Sequence, residues 1–183
     1  ILLGSHLGSF EALRGIGSTV RHLPIKILMN VEHNQAMTQL FAALNPALAQ
    51  AVIAIGRPET LLEVQDSVAQ GFMVGALGDR VAQDEKTIRC RFFGQETAFP
   101  IGPILLAGLI GCPVILCFGL YRGGNRYDVH FEVLAERIAL EPRRRQEQIA
   151  IWVQRYADRL EHYARLTPYN WFNFYDYWAE DSA

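Results

Sequence analysis

The sequence lacks several features that would assign it to a class at once. No run of about 18 apolar residues occurs, so we predict no membrane-spanning helix within these 183 residues. The formal net charge is only -2, which gives no support for a broad nucleic-acid-binding surface. Half of the residues are hydrophobic and a fifth are charged, as in an ordinary globular protein with a substantial core.

Cysteine is also scarce. Cys90, Cys112 and Cys117 form no Cys-x-x-Cys pair and lie in apolar stretches. This pattern predicts reduced thiols in the core and favours a protein that faces the cytosol. No metal site is predicted, because four scattered histidines show no metal-ligand spacing: His22, His33, His130 and His162.

The chain opens on Ile1 rather than Met, directly inside an apolar run. We therefore expect the natural protein to be longer at its N-terminus, where a targeting or anchoring segment could lie. The length fits one domain, so we predict a single domain over residues 1–183.

Apolar runs and helical periodicities alternate along most of the chain. After the opening strand, further strands are predicted at Ile25–Met29, Ala51–Ile55, Phe72–Leu77, Ile88–Phe93, Pro113–Leu120 and Tyr127–Val133. Helices are predicted at Phe10–Gly17, Asn34–Leu44, Glu59–Gln70, Ile104–Ile110 and Arg143–Leu166, with a looser stretch from Gly94 to Pro103. This order predicts an α/β fold with a mixed, mostly parallel sheet flanked by helices and an antiparallel pair near one edge.

The opening stretch is the first candidate for chemistry. The apolar run Ile1–Leu3 predicts a strand that delivers His6 to the rim of a sheet, and a following helix would hold Glu11 in its first turn. An imidazole held by a carboxylate can take a proton from a hydroxyl, which suits acyl transfer to an alcohol. A capped helix start without catalytic function would give the same pattern.

Two later segments could complete such a site. Asp79 and Arg80 follow a predicted strand, where they either bind a polar ligand or pair with each other. The segment containing Phe93, Phe99 and Gly102 mixes aromatic side chains with proline and glycine. It could be a core loop or the wall of an acyl-chain site.

In combination these segments resemble the late acyltransferases of lipid A biosynthesis, the lauroyl/myristoyl transferase branch of the lysophospholipid acyltransferase superfamily. The resemblance is carried by ordered blocks over essentially the whole chain: His6-x-x-x-x-Glu11, Gly78-Asp79-Arg80, Phe92-Phe93-Gly94 with Phe99-Pro100-x-Gly102-Pro103, Pro113-Val114-Ile115 and Thr167-Pro168-x-x-Trp171-Phe172. It implies a glycerolipid-acyltransferase-like fold.

The resemblance implies transfer of a fatty acyl group from an acyl-carrier-protein or coenzyme A thioester to a hydroxyl of a membrane lipid or glycolipid. By analogy, His6 would be the general base and Glu11 would orient it. Asp79 would line the site beside Arg80, which could meet a phosphate or the thioester oxygen. No bound cofactor or metal is implied. The expected location is the cytoplasmic face of the bacterial inner membrane.

The chain departs from the family pattern in two places. The family commonly carries an arginine after the second strand, where this chain has Asn30, and Arg57 is the candidate to supply that charge. Arginines expected near the terminus are replaced by the segment from Asn173 to Trp178. We therefore leave the acceptor open. Two alternatives remain: a thioesterase or esterase that activates water, and a non-catalytic lipid-binding protein of the same fold.

Overall fold

The structure is a computed structural model that describes residues 1–9, 12, 24–30, 51–82 and 85–179. Its strands are β1 (Leu2–Gly4), β2 (Ile25–Met29), β3 (Val52–Ala54), β4 (Met73–Leu77), β5 (Thr87–Phe92), β6 (Gln95–Pro100), β7 (Val114–Tyr121) and β8 (Tyr127–Ala135). Its helices are α1 (Thr60–Ala69), α2 (Gly102–Ile110) and α3 (Arg145–Leu166), followed by a 3-10 turn at Pro168–Asn170.

Six of the strands form one sheet in the order β3-β2-β4-β1-β7-β8. Every neighbouring pair from β3 to β7 is parallel, and β8 closes the sheet as an antiparallel partner of β7. The carboxyl ends of β3, β2, β4, β1 and β7 therefore share one edge. This confirms the predicted α/β class with a mostly parallel sheet and an antiparallel pair at one side.

Helix α3 covers one face of the sheet. Its apolar side chains recur every three or four residues, so one stripe of the helix is buried: Ile149, Val153, Tyr156, Ala157, Leu160, Tyr163 and Ala164. The ring of Tyr163 lies 4.6 Å from that of Phe118 on β7. The exposed face of α3 carries charge, including an ion pair between Arg165 and Glu161.

Most predicted elements are confirmed to within two residues at each end, β2 without any difference and α1 within one. The predicted helices Phe10–Gly17 and Asn34–Leu44 lie outside the described residues, apart from Ala12, which is helical. The three cysteines are free and buried.

The prediction of a loose stretch from Gly94 to Pro103 was wrong. Residues Gln95–Pro100 form strand β6, paired antiparallel with β5 in a separate two-stranded sheet. Phe93 and Gly94 make the connecting turn with φ of 51° and 83°, the left-handed region that a tight hairpin requires. Pro100 occupies the last position of β6, and β5 is the one strand that pairs with β6 among the described residues. A missing N–H costs little at such an edge position.

Candidate active site

His6 lies just beyond the end of β1, at the shared carboxyl edge of the sheet. The loop that follows is fixed against β7 by its backbone: the N–H of Ser9 donates to the carbonyl of Gly119 at 2.8 Å. Gly8 has a φ of 78°, and a side chain there would place a Cβ 2.0 Å from the Gly119 carbonyl oxygen. Only glycine fits this approach, which holds the loop carrying His6 close to the sheet.

Asp79 reaches His6 from the neighbouring strand. It follows β4, which pairs with β1, so the two residues meet across adjacent strand ends. The imidazole Nδ1 lies 2.9 Å from Oδ1 of Asp79, and the backbone N–H of His6 donates to Oδ2 at 3.0 Å. Asp79 is 1% exposed, whereas the His6 side chain is 30% exposed. The pair therefore has a buried carboxylate and a solvent-accessible imidazole.

The segment after α3 supplies further contacts to Asp79. The indole Nε1–H of Trp171 donates to Oδ2 at 3.2 Å, and the Tyr177 hydroxyl donates to the Asp79 backbone carbonyl at 2.8 Å. Trp171 is 92 residues away in sequence, so no local pattern could have indicated this contact. The sequence pattern includes Trp171 only in the block Thr167-Pro168-x-x-Trp171-Phe172, and it gives Tyr177 no role.

Two buried tyrosine hydroxyls near the pair are held in the neutral form. Burial is the main cause that raises the pKa of Tyr156 and of Tyr177 well above the usual value, and the negative charge of Asp79 adds to it. Both hydroxyls can therefore donate hydrogen bonds at any ordinary pH. Tyr156 donates to the carbonyl of Gly4 at 2.8 Å, directly below the site.

The contact with Asp79 favours one tautomer of the imidazole. A carboxylate oxygen is an acceptor, so the contact is satisfied when Nδ1 carries the proton and Nε2 has the lone pair. In that tautomer Nε2 can take a proton from a hydroxyl, and the carboxylate can stabilise the imidazolium that forms. The arrangement is chemically suited to proton transfer at the end of a parallel sheet.

Arg80 points toward the C-terminal segment. A terminal guanidinium nitrogen donates to the Phe172 carbonyl, and the guanidinium lies 6.0 Å from the centre of the Tyr175 ring. Its buried Nε has no hydrogen-bond partner among the described residues. Asp79 and Arg80 also line a cavity of about 390 Å³, together with Arg89, Thr97, Tyr175 and Tyr177 among others.

The candidates Asn30 and Arg57 lie at the same edge but farther along it. Asn30 follows β2, one strand from Asp79, and Arg57 follows β3, two strands away. Strands in a sheet are about 4.8 Å apart, so the end of the strand before Arg57 lies roughly 10 Å from the end of the strand before Asp79. Arg57 is exposed, and its backbone N–H bonds the Thr60 hydroxyl at the start of α1.

Within the described part of the chain, no hydrogen bond or ring contact joins His6 to Phe93, Phe99 or Gly102. Phe99 is fully buried against Phe92, Tyr156 and Tyr177, which places it in the core. Phe93 is half-buried and stacks on Trp171 at 6.3 Å. Gly102 begins α2.

Glu11 lies outside the described residues, so its role toward His6 stays a prediction. Within the described ranges, no three histidine, cysteine or acidic side chains are grouped closely enough to hold a metal ion. No helix in that part of the chain is both long and apolar enough to cross a bilayer.

The fold is α/β, and a histidine–carboxylate pair, His6 and Asp79, lies at the edge of its sheet. The sequence model of the family described as bacterial lipid A biosynthesis acyltransferase matches residues 1–180, nearly the whole chain. The chain belongs to this acyltransferase family. A comparison with individual curated proteins gives no match.

Proposed function

We propose that the protein transfers a fatty acyl group from a thioester to a hydroxyl of a membrane lipid, with His6 as general base. The observation that carries this proposal is the 2.9 Å contact between His6 Nδ1 and the buried Asp79, because it leaves Nε2 basic and open to solvent. Membership of the acyltransferase family supplies the reaction class. His6 is therefore the proposed base, and Asp79 is its proposed partner.

The transfer needs one proton to move twice. The acceptor oxygen attacks the thioester carbonyl carbon as Nε2 of His6 takes the hydroxyl proton. The carbon–sulfur bond then breaks, and the thiolate leaves with the proton that His6 returns. The products are an ester and a free thiol. Because a thioester is already activated, alignment and deprotonation are the main tasks left to the protein.

Asp79 keeps the imidazole in the tautomer that this step requires and stabilises its positive charge. We also propose that Glu11 contributes to orienting His6, as the resemblance implies. Asn30 and Arg57, at neighbouring strand ends, are proposed contacts to the polar part of the acceptor. Each of these roles is separable by substitution.

We propose an acyl-carrier-protein or coenzyme A thioester as the donor. Both carry a phosphorylated pantetheine arm. The cavity of about 390 Å³ beside Asp79 contains two arginines, Arg80 and Arg89, among lining residues that also include the carboxylates of Glu96 and Asp176. Arginine suits phosphate and thioester oxygens because its fork presents several donors at once. The proposed surface for the fatty acyl chain includes Phe93, Phe99 and Gly102. Phe99 would support this surface from the core beneath it.

We propose that the protein works at a membrane surface, on its cytoplasmic side. Four aromatic side chains on the C-terminal segment are exposed: Tyr169 (96%), Phe172 (47%), Phe174 (88%) and Tyr175 (53%). The backbone N–H of Phe172 donates to the His6 carbonyl at 3.0 Å, so these side chains adjoin the site. Exposed aromatic residues favour the headgroup layer of a bilayer, where the lipid acceptor lies.

The reaction is tested with His6→Ala. Purified protein is incubated with a labelled acyl thioester and bacterial lipids, and the products are resolved by mass spectrometry. Wild type should form an acylated lipid and His6→Ala should form none, while its thermal unfolding stays near that of wild type. Release of free fatty acid without acylated lipid would instead support a thioesterase. Equal turnover by His6→Ala would reject His6 as the base.

Two further measurements address the acceptor and the membrane. Comparing lipids of cells with and without the gene gives the acyl chain from the mass shift and the acceptor from its headgroup.

Binding to vesicles containing anionic lipid should fall several-fold in Phe174→Ser, because this side chain is almost fully exposed. Phe131→Ser is the matched control, since Phe131 is also exposed but lies in the middle of β8.

A further inference from the structure

We propose that Trp171 is a positioning residue for the transfer, acting through Asp79. Its indole N–H holds the Asp79 carboxylate in the orientation that presents Oδ1 to His6 Nδ1. The kinetic part of this inference rests on the proposed function. The structural part, a three-residue chain from Trp171 through Asp79 to His6, does not.

The two carboxylate oxygens of Asp79 have different partners. Oδ1 accepts from the imidazole, whereas Oδ2 accepts from the His6 backbone N–H at 3.0 Å and from the Trp171 indole at 3.2 Å. Asp79 is 1% exposed, so water has little access to replace a lost donor. Rotation of the carboxylate away from His6 would break the indole bond as well. The indole therefore opposes that rotation.

Trp171 is itself tied to the loop that carries the base. It forms an isolated β-bridge with Leu7, next to His6 in the chain. The following residue, Phe172, donates its backbone N–H to the His6 carbonyl. The segment that carries the indole is thus joined by backbone contacts to the loop that carries the base. This is the arrangement expected of a group that sets catalytic geometry.

Packing also holds the indole ring in place. Its centroid lies 4.9 Å from that of Tyr177 and 5.4 Å from that of Phe92. A purely structural account would assign Trp171 to this aromatic cluster alone. Trp178 separates the two accounts, because it belongs to the same cluster and is also half-buried, but its indole N–H donates to the Phe92 carbonyl at 3.3 Å.

The test compares Trp171→Phe with Trp178→Phe in the full chain. Each change keeps an aromatic ring and removes one indole hydrogen bond, so both should lower thermal stability, Trp171→Phe the more because its partner is a buried carboxylate. Loss of a hydrogen bond to a charged group should reduce kcat of Trp171→Phe roughly tenfold to a hundredfold. KM for thioester and lipid should change by about twofold at most, because no substrate contact is removed. Trp178 also lines the cavity beside Asp79, so Trp178→Phe can raise KM for the thioester, but its kcat should stay within about twofold of wild type because no bond to Asp79 is lost.

Proton NMR gives a readout that does not need turnover. The proton between His6 Nδ1 and Asp79 should give a low-field signal that shifts or broadens in Trp171→Phe and stays in place in Trp178→Phe. Conversely, Asp79→Asn should move the Trp171 indole N–H signal upfield and leave that of Trp178 unchanged, which tests the contact without altering position 171.

The outcomes separate this inference from the proposed function. If wild type shows no acyl transfer but the NMR shifts are specific to Trp171, the positioning contact stands and the proposed function fails. Equal kcat in the two tryptophan variants, or a His6 signal that both change alike, would overturn the positioning role and leave Trp171 as a packing residue.

Discussion

Two parts of the same sheet edge carry similar sequence features and have different structures. At the ends of β1 and β4, His6 and Asp79 meet in a contact of 2.9 Å over a buried carboxylate. At the end of β3, Arg57 is exposed and its backbone starts a helix. Both parts consist of polar residues that follow an apolar strand. The difference is that His6 has a hydrogen-bonding partner from the neighbouring strand end, whereas the Arg57 side chain is exposed.

The position in the sheet explains why the polar residue after β4 is buried and that after β3 is exposed. These strands are central in the sheet, and α3 and the C-terminal segment cover their ends through Tyr156, Trp171 and Tyr177. Strand β3 is at the edge of the sheet, beside α1. A central position excludes water, so each hydrogen bond and charge there has a larger effect.

The largest effect in the comparison between the β1/β4 end and the β3 end is expected for Asp79→Asn. The amide no longer stabilises the imidazolium or the required tautomer, so kcat should fall by roughly a thousandfold or more. Arg57→Gln should raise KM by roughly tenfold at most and leave kcat unchanged, because an exposed cation acts weakly over that distance. Steady-state kinetics of both variants check this. A larger kcat loss in Arg57→Gln would place the chemistry at the other end of the edge.

Two glycines with similar backbone angles give the next largest contrast. Gly8 has φ of 78° and Gly56 has φ of 90°, but only Gly8 is pressed against another backbone. Gly8→Ala should cost about 3 kcal/mol or more, since strain and overpacking add, whereas Gly56→Ala should cost about 1 kcal/mol. Urea unfolding measures both. Equal losses would mean that the approach to Gly119 is not what holds the His6 loop.

Two hydroxyls that support strand ends sharpen the contrast further. Tyr156 donates to the carbonyl of Gly4, the last residue of β1, and Thr60 donates to the carbonyl of Ala54, the last residue of β3. Tyr156→Phe should lower the free energy of unfolding by about 1 kcal/mol, because the bond is fully buried. Thr60→Val should cost less, since its site is half-open to water. A larger loss of thermal stability in Thr60→Val than in Tyr156→Phe would contradict the view that burial sets the strength of these two hydrogen bonds.

The smallest expected effect depends on pH. Burial raises the pKa of the Cys117 thiol on β7 to about 12, against an ordinary value of 9.0. Above pH 9 the unfolded chain loses this proton while the folded chain keeps it, so stability falls as pH rises toward 12. The loss stays below about 1 kcal/mol at pH 9.5. Cys117→Ala should make the fall in unfolding free energy between pH 8 and 9.5 shallower. An unchanged slope would show that water reaches the thiol.

Much of the architecture could be predicted because it follows from local periodicity. The continuous apolar run of β7 and the regular buried stripe of α3 indicate their structures without any distant contact. Strand β6 was missed because Gly94 and Pro100 normally interrupt strands, and only its pairing with β5 shows that they lie at its two ends. Non-local pairing outweighs local preference in a strand more readily than in a helix.

Local patterns in the sequence are enough to predict most strands and helices, the position of His6 after a strand and the family to which the chain belongs. Only the folded structure shows that Asp79 contacts His6 and that Trp171 and Tyr177 hold Asp79. The physical reason is that hydrogen bonds in a site depend on which strand ends lie side by side and on which distant segment covers them. The local spacing of residues encodes neither the order of the strands nor the path by which the segment after α3 comes back to cover their ends.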